Sequence, residues 1–279
     1  MKLAGVGDNV VDRYRELGRY FPGGQALNVA VGAQRAGIPS AYLGAIGDDE
    51  AGRAVLAAIE AEGLDTARLR VLHGPNARAE VALRDGNREF VGSDPGVSKI
   101  RLEPEDLAYL AGFDLIHSSE SSYLEDQLHL LAGVRPLSFD FSVRRDPAYL
   151  EPLLPHVAIA QFSLAGLDDA ATEAWLEHIH GRGPRLVLAT RGGSSAVLFD
   201  GRRFWYQPTL PTDVVDSLGA GDSFIARFLV GVIRNEDPAE SLAAAAQAAA
   251  RTCGHYGAFG YGSPIAPSVG STTSTEAAS

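Results

Sequence analysis

Residues 212–232 read Thr-Asp-Val-Val-Asp-Ser-Leu-Gly-Ala-Gly-Asp-Ser-Phe-Ile-Ala-Arg-Phe-Leu-Val-Gly-Val, and we interpret the rest of the chain around this stretch. Gly219-Ala220-Gly221 permits backbone angles that are closed to larger residues. The apolar residues that follow recur at helical spacing. The pattern therefore predicts a helix that begins at the glycines. The unpaired N–H groups and the positive dipole end of a helix N-terminus suit an anion such as a phosphoryl group.

Asp222 falls in the first turn of this predicted helix. A carboxylate beside a phosphate cradle can accept the proton of an attacking hydroxyl, which is the one covalent task that phosphoryl transfer leaves to a side chain. The alternative is that Asp222 only caps the helix. We therefore take Asp222 as a candidate general base, and the backbone of Gly219, Ala220 and Gly221 as a candidate anion cradle.

With Asp216-Ser217-Leu218 before it, this stretch resembles the second signature of the ribokinase-like (PfkB-type) carbohydrate kinases. The run from Gly23-Gly24 to Asn28 resembles the first signature of the same family. The resemblance covers about residues 1–262. It implies an α/β fold, namely a ribokinase-like three-layer α/β/α domain with a mainly parallel sheet and a small β-sheet lid. Residues 263–279, rich in Ser, Thr and Ala, are expected to be a disordered tail.

Polar residues follow the first predicted strand, where the chain reads Gly-Asp-Asn-Val-Val-Asp. Asp8, Asn9 and Asp12 lie just past the carboxyl end of that strand and are placed to hydrogen-bond a polyol, although an ordinary Asp/Asn turn is the alternative. The resemblance matches Asp12 to the family's sugar-binding aspartate, and Gly24 and Asn28 to its sugar-hydroxyl ligands. A dinucleotide fingerprint is rejected here because its third glycine is missing.

An inserted hairpin interrupts the helical pattern between about residues 70 and 95. Apolar and charged residues alternate there, with Arg78 and Glu80 on the polar side, and Asp85-Gly86-Asn87 is the predicted turn. The hairpin resembles the lid that closes over the sugar in this family, completed by residues 12–22. Arg78 and Glu80 are therefore candidate substrate-binding residues. Glu120 falls where ribokinase has a glutamate close to the sugar or phosphate, with helix capping as the alternative.

Strand and helix alternate again after residue 106, with strands expected at 113–117, 136–140, 156–161 and 185–190 and a hairpin at 196–206. This alternation predicts a mainly parallel sheet with its site at the strand carboxyl ends. Thr190 and Gly192 match the family's Thr-x-Gly nucleotide-phosphate turn. The family packs adenine near the turn after the last helix, which implicates His255 and Gly257 together with Gly221 in nucleotide binding.

The resemblance implies ATP and Mg²⁺ as cofactors. A Walker loop is excluded because lysine occurs only at positions 2 and 99. The family's Asn-x-x-Glu motif, which organises the magnesium shell, is replaced by residues 161–166, so the metal ligands are unknown. Mg²⁺ binds largely through waters and phosphates and need not depend on that motif. Potassium-dependent members bind the ion near Asp216-Ser217-Leu218, where Leu218 lacks a side-chain oxygen.

Composition and charge disfavour two classes of protein, those that bind nucleic acids and those that span membranes. A net charge of −11 argues against a nucleic-acid surface, and no apolar run reaches the roughly 18 residues of a membrane span. The chain is therefore expected to be cytoplasmic. The family resemblance implies a sugar and ATP as its partners. Cys253 is the single cysteine, which excludes an internal disulfide. Lid edges can pair between subunits, which makes a homodimer through the lid compatible with this fold.

The expected function is ATP-dependent phosphorylation of a sugar hydroxyl. Within the family, the short chain and its signatures are most similar to the members that convert fructoselysine to fructoselysine 6-phosphate. The alternatives are another ketose or sugar-acid kinase (fructokinase, ribokinase or 2-keto-3-deoxygluconate kinase), a nucleoside kinase, and a non-catalytic sugar-binding member. The charged hairpin disfavours a nucleoside kinase, and the presence of Asp222 disfavours a silent member.

Overall fold

Strands and helices alternate along most of the chain in the computed structural model, which describes residues 1–84 and 87–265. The strands are β1 (Leu3–Gly7), β2 (Val10–Tyr14), β3 (Arg19–Gly23), β4 (Ser40–Gly47), β5 (Arg70–Leu72), β6 (Arg78–Arg84), β7 (Asn87–Asp94), β8 (Leu115–Ser119), β9 (Leu137–Asp140), β10 (Ile159–Ser163), β11 (Leu186–Thr190), β12 (Ser195–Phe199), β13 (Phe204–Pro208) and β14 (Ser263–Pro264). The helices are α1 (Gln25–Arg35), α2 (Glu50–Ala61), α3 (Pro104–Leu110), α4 (Leu128–Val134), α5 (Pro147–Leu150), α6 (Asp169–His180), α7 (Ala220–Arg234) and α8 (Pro238–Thr252).

The larger sheet has the strand order β13-β12-β11-β10-β9-β8-β1-β4-β5. The strands from β11 to β5 pair in parallel, and the antiparallel pairings of this sheet, β11/β12 and β12/β13, lie at one edge. Helical crossovers return the chain to the same end of the sheet after each strand. The strands expected near residues 113, 136, 156 and 185 are confirmed as β8 to β11. Their carboxyl ends meet along one edge, where the polar residues lie.

Apolar side chains cover both faces of this sheet, and the mainly parallel three-layer architecture is thereby confirmed. Side chains of α3, α4 and α6, including Leu110, Leu131 and Leu176, pack against one face. Side chains of α1, α7 and α8, including Val29 and Phe228, pack against the other. Burial on both faces explains why β1 and β4 are buried throughout and lack a polar alternation.

The smaller sheet is the predicted lid, with the strand order β14-β3-β2-β6-β7. Strands β6 and β7 form the inserted antiparallel hairpin, and β2 and β3 complete the sheet as expected. The predicted turn at Asp85-Gly86-Asn87 falls mostly outside the described residues. Tyr14 and Phe21 of the lid pack with Leu27 of α1, which fixes the lid to the body.

Two boundaries of the predicted lid and tail need correction. Arg70–Leu72 belongs to the larger sheet, where it pairs in parallel with Ala45–Gly47, so the lid hairpin begins near Arg78. A three-residue extended segment carries too little pattern to reveal which sheet it joins. Ser263–Pro264 pairs with Arg19–Tyr20 of the lid, and the fold thus continues past residue 262. The rest of the expected tail, residues 266–279, lies outside the described residues.

A search of the described residues for a helix long and apolar enough to cross a membrane finds none.

Candidate active site

The glycines of residues 219–221 lie at the start of α7, as predicted. Gly219 immediately precedes the helix with a left-handed backbone (φ 73°), and a Cβ there would lie 2.4 Å from the Cβ of Ala258. Conformation and close packing thus both require glycine at this position. A Cβ at Gly221, in contrast, would meet nothing within 4 Å. The helix N-terminus therefore borders open space in which an anion can be bound.

Asp222 connects this helix start to the polar residue of α1. The helix begins after Gly219, so Asp222 lies in its first turn and not at the N-cap position. The Oδ2 atom of Asp222 accepts a hydrogen bond of 2.6 Å from Asn28 Nδ2. Asn28 is only 8% exposed, and its Oδ1 atom is buried without a partner in the described residues. A buried amide oxygen of this kind suits a ligand hydroxyl.

A cavity of about 410 Å³ lies beside this pair, between the lid and the larger sheet. Asp12 is 3% exposed, and a Cβ at Gly23 would lie 2.6 Å from Asp12 Oδ2, so glycine leaves room for that carboxylate. The cavity, called here the sugar pocket, is lined by Asp8, Asn9, Val10, Asp12, Gly24, Gln25, Asn28, Ala77, Arg78, Ala79, Gly92, Ser93, Asp94, Pro95, Ser98, Ser121, Tyr123, Leu218 and Asp222.

A second cavity, of about 690 Å³, lies on the other side of the α7 N-terminus. Thr190, Gly192 and Gly221, three of the residues predicted to bind the nucleotide, line it. Small side chains of α8, such as Ala246 and Ala249, form another part of its wall and leave space for a flat ring. This cavity, called here the nucleotide pocket, adjoins the sugar pocket at residues 221 and 222.

A comparison with protein-family models matches residues 8–264 to the model described as pfkB family carbohydrate kinase. The chain belongs to this family. It is therefore an enzyme that phosphorylates a carbohydrate, as the two signatures predicted, and its family fold binds a sugar and ATP.

Individual relatives agree with this assignment. The kinase is 44% identical over 269 residues to a fructosamine kinase of Bacillus subtilis named FrlD, with 95% of each chain covered. It is 36% identical over 261 residues to a fructoselysine 6-kinase of Shigella flexneri, covering 92% of this chain and 99% of that protein. A solved ribokinase of Arabidopsis thaliana, in complex with ribose and ATP, superposes with a TM-score of 0.79 at 21% identity, covering 92% and 94% of the two chains. That match shows the fold.

Asp8 and Asn9, two of the predicted substrate-binding residues, line the sugar pocket and also make structural contacts in the kinase. The carboxylate of Asp8 accepts hydrogen bonds from the backbone N–H groups of Gln25 and Ala26, at 2.7 and 3.1 Å, and from two serine hydroxyls. Asp8 thus supplies hydrogen-bond acceptors for the N–H groups that are free at the N-terminus of α1. Asn9 donates to Tyr42 and to the carbonyl of Ala45 in the interior. Both residues line the sugar pocket, and the Oδ1 atom of Asn9 is buried without a partner in the described residues.

Arg78 is among the residues that line the sugar pocket, whereas Glu80 is not. They share one face of β6, whereas Ala79, between them, is buried against the body. Glu80 is bound on the outer face by Arg15 at 2.7 Å and Arg13 at 3.0 Å, and the Arg15 hydrogen bond chiefly lowers the pKa of Glu80. The strand alternation was predicted correctly, but its charged side faces away from the body.

Three further predicted residues stand apart from the pocket linings. Glu120 pairs with Arg144 at 3.2 Å, and Ser121 lines the sugar pocket instead. Gly257 donates its N–H to Asp216 at 3.0 Å, and His255 is half-buried beside it; Cys253, just before them, lines the nucleotide pocket. The turn after α8 therefore braces the loop before α7 through Asp216.

Asp140, at the carboxyl end of β9, is a residue that the sequence analysis missed. Its Oδ2 atom accepts a hydrogen bond of 2.8 Å from Gln25, which occupies a position where many family members have lysine. Burial raises the pKa of Asp140 to about 7, and the negative charges of Asp222, Glu120 and Asp8 add to the rise. Its place after a parallel strand, which the predicted strand at 136–140 already indicated, is the signal that could have identified it.

The structure offers no dedicated metal cage among residues 1–84 and 87–265, since no group of three or more His, Cys, Asp or Glu side chains there is arranged to hold an ion. In the segment that replaces the family's Asn-x-x-Glu motif, Gln161 donates to Ser138 at 2.8 Å and Ser163 lines the nucleotide pocket. These residues fit Mg²⁺ only as an ion held mainly by phosphate oxygens and water.

Proposed function

We propose that this kinase transfers the γ-phosphoryl group of ATP to a hydroxyl of fructoselysine or a related fructosamine, giving the 6-phosphate. One observation carries the proposal. Consecutive residues in the first turn of α7 open onto different pockets, Gly221 onto the nucleotide pocket and Asp222 onto the sugar pocket. A donor phosphate and an acceptor hydroxyl can thus meet at a single helix N-terminus.

The chemical roles follow from this junction. Asp12 and Asn28 would hold the sugar, whose reacting hydroxyl gives its proton to Asp222. The sugar oxygen forms a bond to the γ-phosphorus while the bond to the bridging oxygen breaks, and ADP leaves. The N–H groups at the α7 start are already oriented, so they can stabilise the charge on the phosphoryl oxygens without reorganisation.

Mg²⁺ would accompany ATP and neutralise charge on the phosphate oxygens. The carboxylates of Asp140 and Asp222 lie close enough for each to raise the cost of charging the other. A divalent cation near them would relieve this repulsion as well as bind phosphate. Ser163, on the wall of the nucleotide pocket, is the hydroxyl of the replaced motif that can hydrogen-bond its water shell.

The substrate assignment rests on the relatives and on the charge of the sugar pocket. The names of the two relatives at 44% and 36% identity specify fructosamine and fructoselysine. Asp12 and Asp222 both line the sugar pocket, and Asp8 lies in its wall. An acidic lining suits the protonated amine that distinguishes a fructosamine from fructose.

An ATP-consumption assay across fructoselysine, fructose, ribose, 2-keto-3-deoxygluconate and adenosine tests this proposal. We expect fructoselysine to have the highest kcat/KM and NMR of the product to show a phosphate on carbon 6. Equal kcat/KM for fructose and fructoselysine would indicate a general ketose kinase. Preference for adenosine would indicate a nucleoside kinase, and no turnover of any sugar would indicate a binding protein.

A homodimer through the lid stays a prediction. The edge strand β7 is where such pairing would form, and Val91 on it is 53% exposed. Exposed apolar side chains on an edge strand favour pairing with a second strand.

A further inference from the structure

The mouth of the sugar pocket contains an exposed aromatic residue, Tyr123, which follows the short turn after β8. Tyr123 lines the pocket together with Ser121, yet 45% of its surface is accessible to solvent. Deeper residues of the pocket, such as Asp12 and Asn28, are more than nine-tenths buried. Tyr123 therefore borders the part of the pocket where a ligand longer than a hexose would extend.

The backbone of Tyr123 is left-handed, with φ 55°. A bulky residue other than glycine rarely adopts this conformation, which is strained and concentrates at ligand sites. Leu124, the next residue, is fully buried and anchors the turn. The protein thus holds an aromatic ring at the pocket mouth in spite of an unfavourable backbone conformation.

Lys99 lies against this ring, with its Nζ atom 4.0 Å from the ring centroid. It is exposed, and Ser98, the residue before it, lines the sugar pocket. Arg78, a cation of the pocket lining, is already paired with Asp94 at 3.2 Å. Within the described part of the chain, no carboxylate forms an ion pair with Lys99. Its ammonium group is thus placed to receive an anionic group from a ligand.

The sugar pocket consequently has opposite charges at its two ends. Carboxylates of Asp12 and Asp222 line the interior, and the ammonium group of Lys99 stands at the mouth. A ketose that carries an amine close to the sugar and a carboxylate at the far end of an aliphatic spacer matches this order of charges. The ring of Tyr123 offers an apolar surface at the level of the spacer.

We propose that Tyr123 and Lys99 form a subsite for the amino-acid portion of a ketosamine, in which the spacer packs on the ring and the α-carboxylate pairs with Lys99. This subsite rests on the proposed function, because it assumes a fructosamine substrate. It adds a specificity-determining element that lies outside both family signatures.

A comparison of three acceptors tests the role of Lys99: fructoselysine, its α-carboxamide and fructose. In Lys99→Gln, the ratio of kcat/KM for fructoselysine to that for fructose falls about fivefold, as expected for loss of an exposed ion pair. The ratio of kcat/KM for the carboxamide to that for fructose stays unchanged in Lys99→Gln, because the carboxamide has no carboxylate that could pair with Lys99. Lys2→Gln is the matched control, because Lys2 is the other lysine and lies beside Phe113, away from both pockets.

Variants of Tyr123 test the ring independently. Tyr123→Phe keeps the ring, and we expect it to keep the wild-type ratio of kcat/KM for fructoselysine to that for fructose. Asparagine tolerates a left-handed backbone but lacks the ring. Tyr123→Asn should therefore lower kcat/KM relative to fructose about tenfold, for fructoselysine and for its carboxamide alike. An unchanged ratio in both Lys99→Gln and Tyr123→Asn contradicts the subsite while leaving the proposed function intact. No turnover of fructoselysine by the wild-type enzyme contradicts the proposed substrate, and the subsite with it.

Discussion

Asp140 lies beside the catalytic junction in a setting that disfavours its charge. Its Oδ1 atom accepts a hydrogen bond of 2.8 Å from the Ser142 N–H, and its Oδ2 atom accepts one from Gln25. Burial nevertheless raises its pKa to about 7. The folded protein therefore binds a proton that the unfolded chain releases near pH 4, so this residue stabilises the fold at acidic pH and that contribution is lost as pH rises through about 7.

Replacement of Asp140 by Asn should remove this pH dependence. We expect Asp140→Asn to be more stable than wild type by on the order of a few kcal/mol at pH 8, and by a smaller amount at pH 5. The new amide can donate to the Gln25 Oε1 atom, which is buried without a partner in the described structure, once the Gln25 amide turns over. Urea unfolding of both proteins between pH 5 and 8 measures the difference. Parallel stability curves over this range would contradict the assigned pKa.

Single residues also show where sequence analysis stops. Asp8 and Asp12 both follow or begin a strand in one short run, and the sequence made them equal candidates for sugar binding. Both line the sugar pocket, but the structure separates their contacts, because the carboxylate of Asp8 accepts hydrogen bonds from the N-terminus of α1, whereas that of Asp12 lies beside Gly23. Spacing along the chain predicts proximity to the site, whereas the partners of each carboxylate depend on residues far away in sequence.

The start of α7 illustrates the same limit for a whole element. Helical periodicity and the glycines predicted both the helix and its first residue to within one position. The packing of Gly219 against Ala258, from the turn after α8, was not readable from either segment alone. Helix α7 and the loop after α8 are thus fitted to each other at a position where one methyl group cannot be accommodated.

Substitution of Gly219 by Ala should therefore damage the element as well as the activity. A left-handed alanine and its Cβ contact with Ala258 together should cost about 2–4 kcal/mol of stability. Gly133→Ala is the control, because Gly133 lies inside α4 with nothing within 4 Å of a new Cβ, and this change should stabilise by about 0.5 kcal/mol. The melting temperatures of both variants and of the wild type, from thermal unfolding, measure these differences in stability. If both variants shift the melting temperature in the same direction and by a similar amount, Gly219 is not required by packing.

Extended elements were predictable to different degrees. Strands β8 to β11 are mostly buried segments of four or five residues that alternate with helices, and this alternation makes their type and order evident from the sequence. The hairpin β6/β7 was evident from its alternation. Strands β5 and β14 have only three and two residues, which is too short for a recognisable sequence pattern. Their positions are determined by pairing with strands that are distant in sequence.

At the scale of the whole molecule, Asp216 connects the lid to the catalytic junction. Its buried carboxylate accepts hydrogen bonds from the hydroxyl of Tyr14 in β2 at 2.5 Å, from the N–H of Leu218 before α7 and from the N–H of Gly257 after α8. Asp216 thus anchors three segments of the chain: the lid, the loop before α7 and the turn after α8. The family resemblance named Asp216 only as part of a signature, and the folded chain shows which three segments it joins.

The central claim is that Asp222, between the two pockets, is the general base of phosphoryl transfer. The most direct test is the turnover number of Asp222→Asn, together with its dissociation constants for ATP and for fructoselysine. Asn can still accept the hydrogen bond from Asn28, so the fold and both pockets should persist. We expect kcat to fall about 10²–10⁴-fold while both dissociation constants stay within about threefold of wild type. A folded Asp222→Asn enzyme that keeps near wild-type kcat would contradict the account.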